Sequence, residues 1–310
     1  LAGRMVSGRL PIAAIPDAAA LANLRVARPS RATVLRGAAI TQGDTAMNAD
    51  GARMLYDVDG SGVTIGVMSD SYDEDTDISR RASDDINSKD LPGSGNPDYT
   101  TPVNILEDYA DGTNGDDVKD EGRAMMQIIH DIAPGATLAF QTAFGGQANF
   151  AQGIRDLADA GADIIVDDVL YLAEPMFQDG QVAQAIDDVK LNDGVAYFSA
   201  AGNLADQSYE SSFRLEGTAH NYDSGGGTDT LQSVTVPKNT TATFILQWDD
   251  PFASAGGAGA DTDLDIYALD ETGSTVLFQS TDANIGADAV EIMDVENTTN
   301  SSKTFLLWIE

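Results

Sequence analysis

The sequence predicts an α/β protein, a three-layer parallel sheet flanked by helices, with a β-sandwich joined to it. Two observations predict this. Between residues 60 and 212, short runs that are apolar on both faces alternate with amphipathic helical stretches, the pattern of a parallel sheet covered on both sides. From about residue 213 the helical periodicity stops, and short strand-like runs follow between clusters of Gly, Asp and Ser.

The first strand is expected over 63–68, where Val63, Ile65 and Val67 surround Thr64. A long polar loop should fill 69–93, and 102–106 should form the second strand. In 120–132, Ala124, Met125, Ile128, Ile129 and Ile132 fall on one helical face. The run 136–140 reads as a strand, 149–160 as a helix striped by Phe150, Ile154, Leu157 and Ala158, and 162–166 as a strand. A helix over 180–191 and a strand over 195–200 complete the series. Functional groups of such a sheet gather at the carboxyl ends of its strands. In the last third, strands are expected over 231–236, 241–248, 264–269, 275–279 and 304–310. The expected division is a leader or pro-segment over 1–55, an α/β domain over 56–215 and the sandwich over 216–310.

Composition excludes several functions. With 50 acidic and 17 basic residues the formal net charge is −33, a field that repels nucleic acid and anionic membrane surfaces. No stretch approaches the roughly 18 uninterrupted apolar residues of a membrane span. Without cysteine there are no disulfides, catalytic thiolates or zinc–thiolate sites. The chain opens at Leu1 without the charged n-region and apolar core of a signal peptide. The Gly- and Asp-rich composition suggests an extracellular or periplasmic setting. Both ends read as cut, so a fragment of a longer chain is expected.

Three motifs carry chemistry. Ile65-Gly66-Val67-Met68-Ser69-Asp70-Ser71 puts an aspartate at the end of the first strand. Asp120-Glu121-Gly122-Arg123 opens a helix that runs into Ala133-Pro134-Gly135-Ala136. Ser199-Ala200-Ala201-Gly202-Asn203 ends another strand in a small-residue turn. In order and spacing these resemble the D-S/T-G, H-G-T…A-P-x-A and A-A-G-N motifs of subtilisin-like serine peptidases, over roughly residues 60 to 210. The resemblance implies a peptidase fold in which Asp70 is the triad aspartate, Glu121 stands where the base histidine normally sits, and Asn203 donates to the oxyanion. A glutamate base is similar to that of the sedolisins, although their second acid four residues on is here Met125, and their oxyanion aspartate is here Asn203. The implied activity is endopeptidase hydrolysis of protein or peptide substrates through an acyl-enzyme, with no cofactor required for the chemistry.

A serine nucleophile needs a base to take its proton and a partner to orient that base. Glutamate has an ordinary pKa near 4.3, and a second carboxylate beside it raises one of the two. The serine should follow a Gly-Thr turn, yet none of Gly112-Thr113, Gly217-Thr218 and Gly227-Thr228 is followed by one. In the family that motif lies beyond any inserted domain, so the sandwich is read as inserted and the nucleophile as lying outside these residues. The alternative is an inactive pseudopeptidase acting as a binding or calcium-stabilised surface module.

His130, nine residues after Glu121, should sit at the far end of the same helix and gain from its dipole there. Asp167 and Asp168 end a strand where the family has a substrate-lining segment, with Glu174 and Asp179 nearby. In the sandwich, Asp249, Asp250, Asp261, Asp263 and Asp265 lie in a region that resembles pre-peptidase C-terminal domains. Alternating carboxylates there are either calcium ligands or the solvated face of a strand.

Overall fold

A computed structural model describes residues 12–21, 41–204 and 207–310. Much of the expected leader, including 1–11 and 22–40, lies outside the described residues. What is described there begins with a 3-10 turn, Ile12–Ala14, and the helix α1 (Ile15–Ala19). Two short helices, α2 (Gln42–Ala46) and α3 (Ala49–Tyr56), then lead into the α/β region.

Strand β1 (Thr64–Ser69) is followed by α4 (Ala82–Ser88), β2 (Asn104–Glu107), α5 (Glu121–Ile132), β3 (Thr137–Thr142), α6 (Gln147–Asp159), β4 (Ile164–Asp167), α7 (Gln181–Asn192) and β5 (Ala196–Ser199). The five strands form one parallel sheet in the order β2-β3-β1-β4-β5, as the alternating pattern predicts. β1 is central. Its register pairs Val67 with Phe140 on one side and with Val166 on the other. One face of the sheet packs Met68 and Ile165 against Ile154 and Leu157 of α6 and Val189 of α7. The other packs Val67, Leu138 and Phe140 against Met126 of α5 and Leu91. Each of these fully buried apolar side chains contributes about 1.5–3 kcal/mol. The C-terminal end of α5 is held by the segment before β1: Thr41 N–H donates to Asp131 Oδ2 at 2.7 Å, and Arg53 to the Ile132 carbonyl at 2.6 Å.

A small hairpin of β6 (Leu215–Glu216) and β7 (Ala219–His220) precedes the sandwich. Its strands are β8 (Gln232–Val236), β9 (Thr240–Gln247), β10 (Ile266–Leu269), β11 (Val276–Ser280), β12 (Val290–Asn297) and β13 (Lys303–Ile309). Four pair antiparallel in the order β11-β10-β13-β8, and β12 pairs antiparallel with β9. Val236, Ile266, Phe305 and Leu307 of the larger sheet meet Met293 and Val295 of the smaller one in a shared core. Gln247 ties this part to the α/β region, accepting from Met176 N–H at 2.8 Å and donating to the Glu174 carbonyl at 3.0 Å.

Two elements differ from expectation. The loop after β1 contains α4, whose seven residues include few apolar ones. It is held instead by ion pairing of Arg80 with Asp85 and by Asp73 accepting from Ala82 N–H at 2.9 Å. Strand β12 escapes an apolar-alternation reading because its inward positions are Glu291, Met293, Val295 and Asn297, polar at both ends. Glu291 accepts from Ser280 and from Asp282 N–H, while Asn297 donates to the carbonyls of Val236, Pro237 and Ser301.

Candidate active site

Asp70 lies one residue past the end of β1, the central strand, and is 7% exposed. This is the carboxyl edge of the sheet, where the strand order reverses as the chain, having laid β2 and β3 on one side of β1, crosses to β4 and β5 on the other, the place where parallel folds put their ligands. Main-chain donors surround its carboxylate. Oδ1 accepts from Ser71 N–H at 2.5 Å and Glu121 N–H at 2.9 Å, and Oδ2 from Lys119 N–H at 2.5 Å. Asp70 thus clasps the segment that starts α5.

That start is built with care. Asp120, the N-cap of α5, has a left-handed backbone with φ of 52°. Its buried side chain justifies the conformation: Oδ1 accepts from Ser71 Oγ at 2.9 Å, Glu74 N–H at 2.7 Å and Asp75 N–H at 3.0 Å. The Asp120 N–H donates back to Ser71 Oγ at 3.0 Å, so the Ser71 hydroxyl is engaged on both sides. Gly122 allows α5 to approach the sheet, because a Cβ there would lie 2.3 Å from Phe140 Cε2 and 2.8 Å from the Ser71 carbonyl oxygen. Arg123 turns inward to ion-pair with Asp73, Asp85 and Asp120. Of the Glu121-Gly122-Arg123 motif, the glycine and arginine fix the helix and the glutamate is left at its exposed rim.

Asp70 and Glu121 line one cleft, with a volume of about 340 Å³, together with Asp117, Lys119, Phe144, Asp168, Val169 and Leu170. The Glu121 carboxyl is pushed above its ordinary value, first by partial desolvation, then by the charges of Asp168 and Asp70. Asp168 is raised as well, by desolvation and by Asp70 among its causes. The cation of the cleft, Lys119, is already paired, its Nζ lying 2.6 Å from Asp117 at the cleft and 2.7 Å from Asp77. The cleft therefore presents carboxylates beside an apolar wall of Phe144, Val169 and Leu170.

The structure brings Asp70 and Glu121 together, but not Asn203 with them. Asn203 is exposed beyond β5 and does not line the cleft. The sheet order gives the reason: β5 is an edge strand separated from β1 by β4, so its end lies about 10 Å across the sheet. Asp167 points into the protein, accepting from Ser199 Oγ at 3.0 Å and Val169 N–H at 3.3 Å, and burial raises its carboxyl. Its neighbour Asp168 faces the cleft. The Asp167-Asp168 pair at the end of β4 was the available sequence signal for this contribution. The parts supplied by Lys119 and Phe144 depend on loop placement and carry no such signal. Glu174 stabilises the start of α7, accepting from Val182 N–H at 3.1 Å and Ala183 N–H at 3.4 Å. His130 is buried in the last turn of α5, away from the cleft, with Tyr99 edge-on at 5.2 Å.

The aspartates of the sandwich do not converge, and among the described residues no three carboxylates or histidines form a group able to hold a metal ion. Asp250 instead ties two loops, accepting at Oδ2 from Thr262 N–H at 2.8 Å, Asp261 N–H at 3.2 Å and Trp248 Nε1 at 3.2 Å. Asp263 accepts from Asn284 N–H at 2.9 Å and Asp265 from the Tyr267 hydroxyl at 2.9 Å. Asp249 and Asp261 are exposed.

No protein-family model and no curated protein matches the chain. Among solved structures it is similar to MycP1 with its N-terminal propeptide removed, at 16% identity and a TM-score of 0.30. That match covers 54% of this chain and 50% of the other, so the chain spans about half the length of that structure. It is also similar to the CspB protease of Clostridium perfringens, at 11% identity and a TM-score of 0.35, over 86% of this chain and 67% of that one. Among the described residues no helix is long and apolar enough to cross a membrane. The α/β assignment itself rests on the five-stranded parallel sheet and the helices on its two faces.

Proposed function

We propose that the chain carries the base half of a serine endopeptidase site that cleaves protein or peptide substrates through an acyl-enzyme. Glu121 takes the proton of a serine hydroxyl, Asp70 holds the start of the helix that presents Glu121, and Asn203 donates its amide to the oxyanion. One observation carries this reading: Asp70 and Glu121 share a cleft at the carboxyl end of the central strand, linked by the Glu121 N–H to Asp70 Oδ1 bond of 2.9 Å. In the acylation step the serine oxygen forms a bond to the substrate carbonyl carbon as its proton passes to Glu121. That proton then leaves with the amine when the peptide bond breaks. Donors aimed at the oxyanion contribute about 3–4 kcal/mol in such enzymes.

The nucleophile is proposed to come from outside these 310 residues, since Ser69 and Ser71 near the end of β1 are wholly buried, the Ser199 hydroxyl is held by Asp167 at 3.0 Å, and no Gly-Thr pair is followed by a serine. Fluorophosphonate labelling tests this. The product of the complete reading frame should be labelled at one serine, and Glu121→Gln should abolish the labelling. The 310-residue chain alone should stay unlabelled. Labelling of any serine in the 310-residue chain overturns the assignment of the nucleophile.

A second reading, an inactive pseudopeptidase acting as a binding or calcium-stabilised surface module, is favoured by Asn203 standing apart from the cleft. Silence of the complete product toward fluorophosphonate supports it. A melting temperature that falls on chelation and returns with millimolar calcium supports its calcium-stabilised form.

A further inference from the structure

We infer that Asp168, at the end of β4, is the carboxylate that shares a proton with Glu121, and that Asp70 serves as the clasp of the helix start. The inference rests on the reading of Glu121 as the base of the cleft. It reassigns the partner that the sequence motif would give to Asp70.

Both oxygens of Asp70 are already engaged by the N–H groups of Ser71, Lys119 and Glu121, at 2.5, 2.5 and 2.9 Å. With three main-chain donors in place, Asp70 keeps about one of its four acceptor positions, on Oδ2, for a proton-bearing carboxyl. These three bonds have a structural use of their own, since they join the end of β1 to residues 119–121. Asp168 reaches the same cleft from the neighbouring strand. The β1–β4 register pairs Met68 with Asp167, so Asp168, the residue after β4, stands at the same carboxyl edge as Ser69, the last residue of β1. Asp167 turns its side chain inward to Ser199, which leaves Asp168 as the acid that β4 offers to the cleft.

The groups facing Glu121 from the packed elements are Asp70 after β1, Asp117 and Lys119 before α5, and Asp168 after β4. Lys119 and Asp117 are paired with one another, and Lys119 also with Asp77, so they largely cancel. Both remaining acids raise Glu121, Asp168 ahead of Asp70, and Asp168 is in turn raised by burial and by Asp70 and lowered by a hydrogen bond from the Ser69 hydroxyl. Two carboxyls in that relation hold one proton between them through an intermediate pH range, which tunes a glutamate toward use as a base above its ordinary pH.

The test is a carbon-13 carboxyl titration of the 310-residue chain, with the Glu121 signal identified by its loss in Glu121→Gln. In the unmodified chain Glu121 should titrate above the ordinary glutamate range of about 4.3. Asp168→Asn should lower its midpoint by about 0.5 unit or more, and Asp168→Glu should keep it raised. Asp117→Asn should move it far less. A Glu121 midpoint that stays within about 0.2 unit of the unmodified value in Asp168→Asn, with the backbone spectrum unchanged, overturns the inference. A misfolded Asp168→Asn does not rescue the idea, because Asp168→Ser offers the same loss of charge, and a raised midpoint there refutes it equally. The titration needs no nucleophile. A coupled Glu121–Asp168 pair in a complete product that resists fluorophosphonate labelling would sink the peptidase reading while leaving the pair intact.

Discussion

Replacing Arg123 with methionine should be among the most damaging single changes near the cleft. The residue is 4% exposed, and its guanidinium lies 3.0 Å from Asp120, 3.3 Å from Asp85 and in contact with Asp73. The side chains of Asp85 and Asp120 are 1% and 2% exposed, so solvent cannot replace the lost cation. Removing one partner of a buried ion pair costs about 3–5 kcal/mol. Two features hold the cost toward the lower end. Asp120 keeps three donors on Oδ1, and Asp85 keeps its pairing with Arg80. Methionine also refills most of the space and returns about 1 kcal/mol of apolar burial, which leaves a net loss of about 2–3 kcal/mol. Alanine leaves a cavity as well and should cost about 1–2 kcal/mol more. Urea unfolding at neutral pH, followed by circular dichroism, measures both. Adding Asp120→Asn to Arg123→Met should cost at least about 1 kcal/mol less than the sum of the two single changes. A loss below about 1 kcal/mol for Arg123→Met, or strict additivity in the double variant, would refute the view that this ion cluster fixes the start of α5.

Two further outcomes can be checked on the same chain. Gly122→Ala should destabilise by about 1–3 kcal/mol, because the new methyl meets the ring of Phe140 and the Ser71 carbonyl, and an unchanged urea midpoint would contradict the close approach of α5 to β1. His220 accepts from Arg214 N–H at 3.2 Å through Nδ1 and meets the Tyr209 hydroxyl at 3.2 Å through Nε2, and burial followed by the Arg214 charge lowers its pKa. A base depressed in the folded state stabilises fully above its unfolded pKa of about 6.5 and loses that contribution as pH falls through the folded value. Stability should therefore drop as the pH falls below about 6.5, and His220→Gln should flatten that slope.

The sheet was legible in the sequence because parallel strands buried on both faces leave continuous apolar runs, as in Ile65-Gly66-Val67-Met68. Helix α4 was not, because its stability comes from Arg80, Asp73 and Asp85 acting across a loop rather than from an apolar stripe. At the site, Asp70 and Glu121 were legible as a strand end and a helix start, two places where local pattern fixes position. Asn203 is also a strand end, but its distance from the cleft depends on strand order, which one-dimensional spacing does not encode. The occupation of Asp70 by N–H groups 49 and 51 residues away was likewise beyond any motif.

Those long separations bear on how the cleft comes into being. The bonds from Asp70 and Ser71 to residues 119–121, and from Asp73 to Arg123, each close a loop of 49 to 51 residues. Closing such a loop costs about 3.5 kcal/mol beyond a constant, and the first bond to form bears nearly all of it. Once it is closed, the remaining bonds form at little further entropic cost, so the two carboxylates reach their places together or not at all. The amide hydrogens of Lys119 and Glu121 should then exchange with solvent at one common rate, set by reopening of the whole clasp rather than by fraying of the helix end.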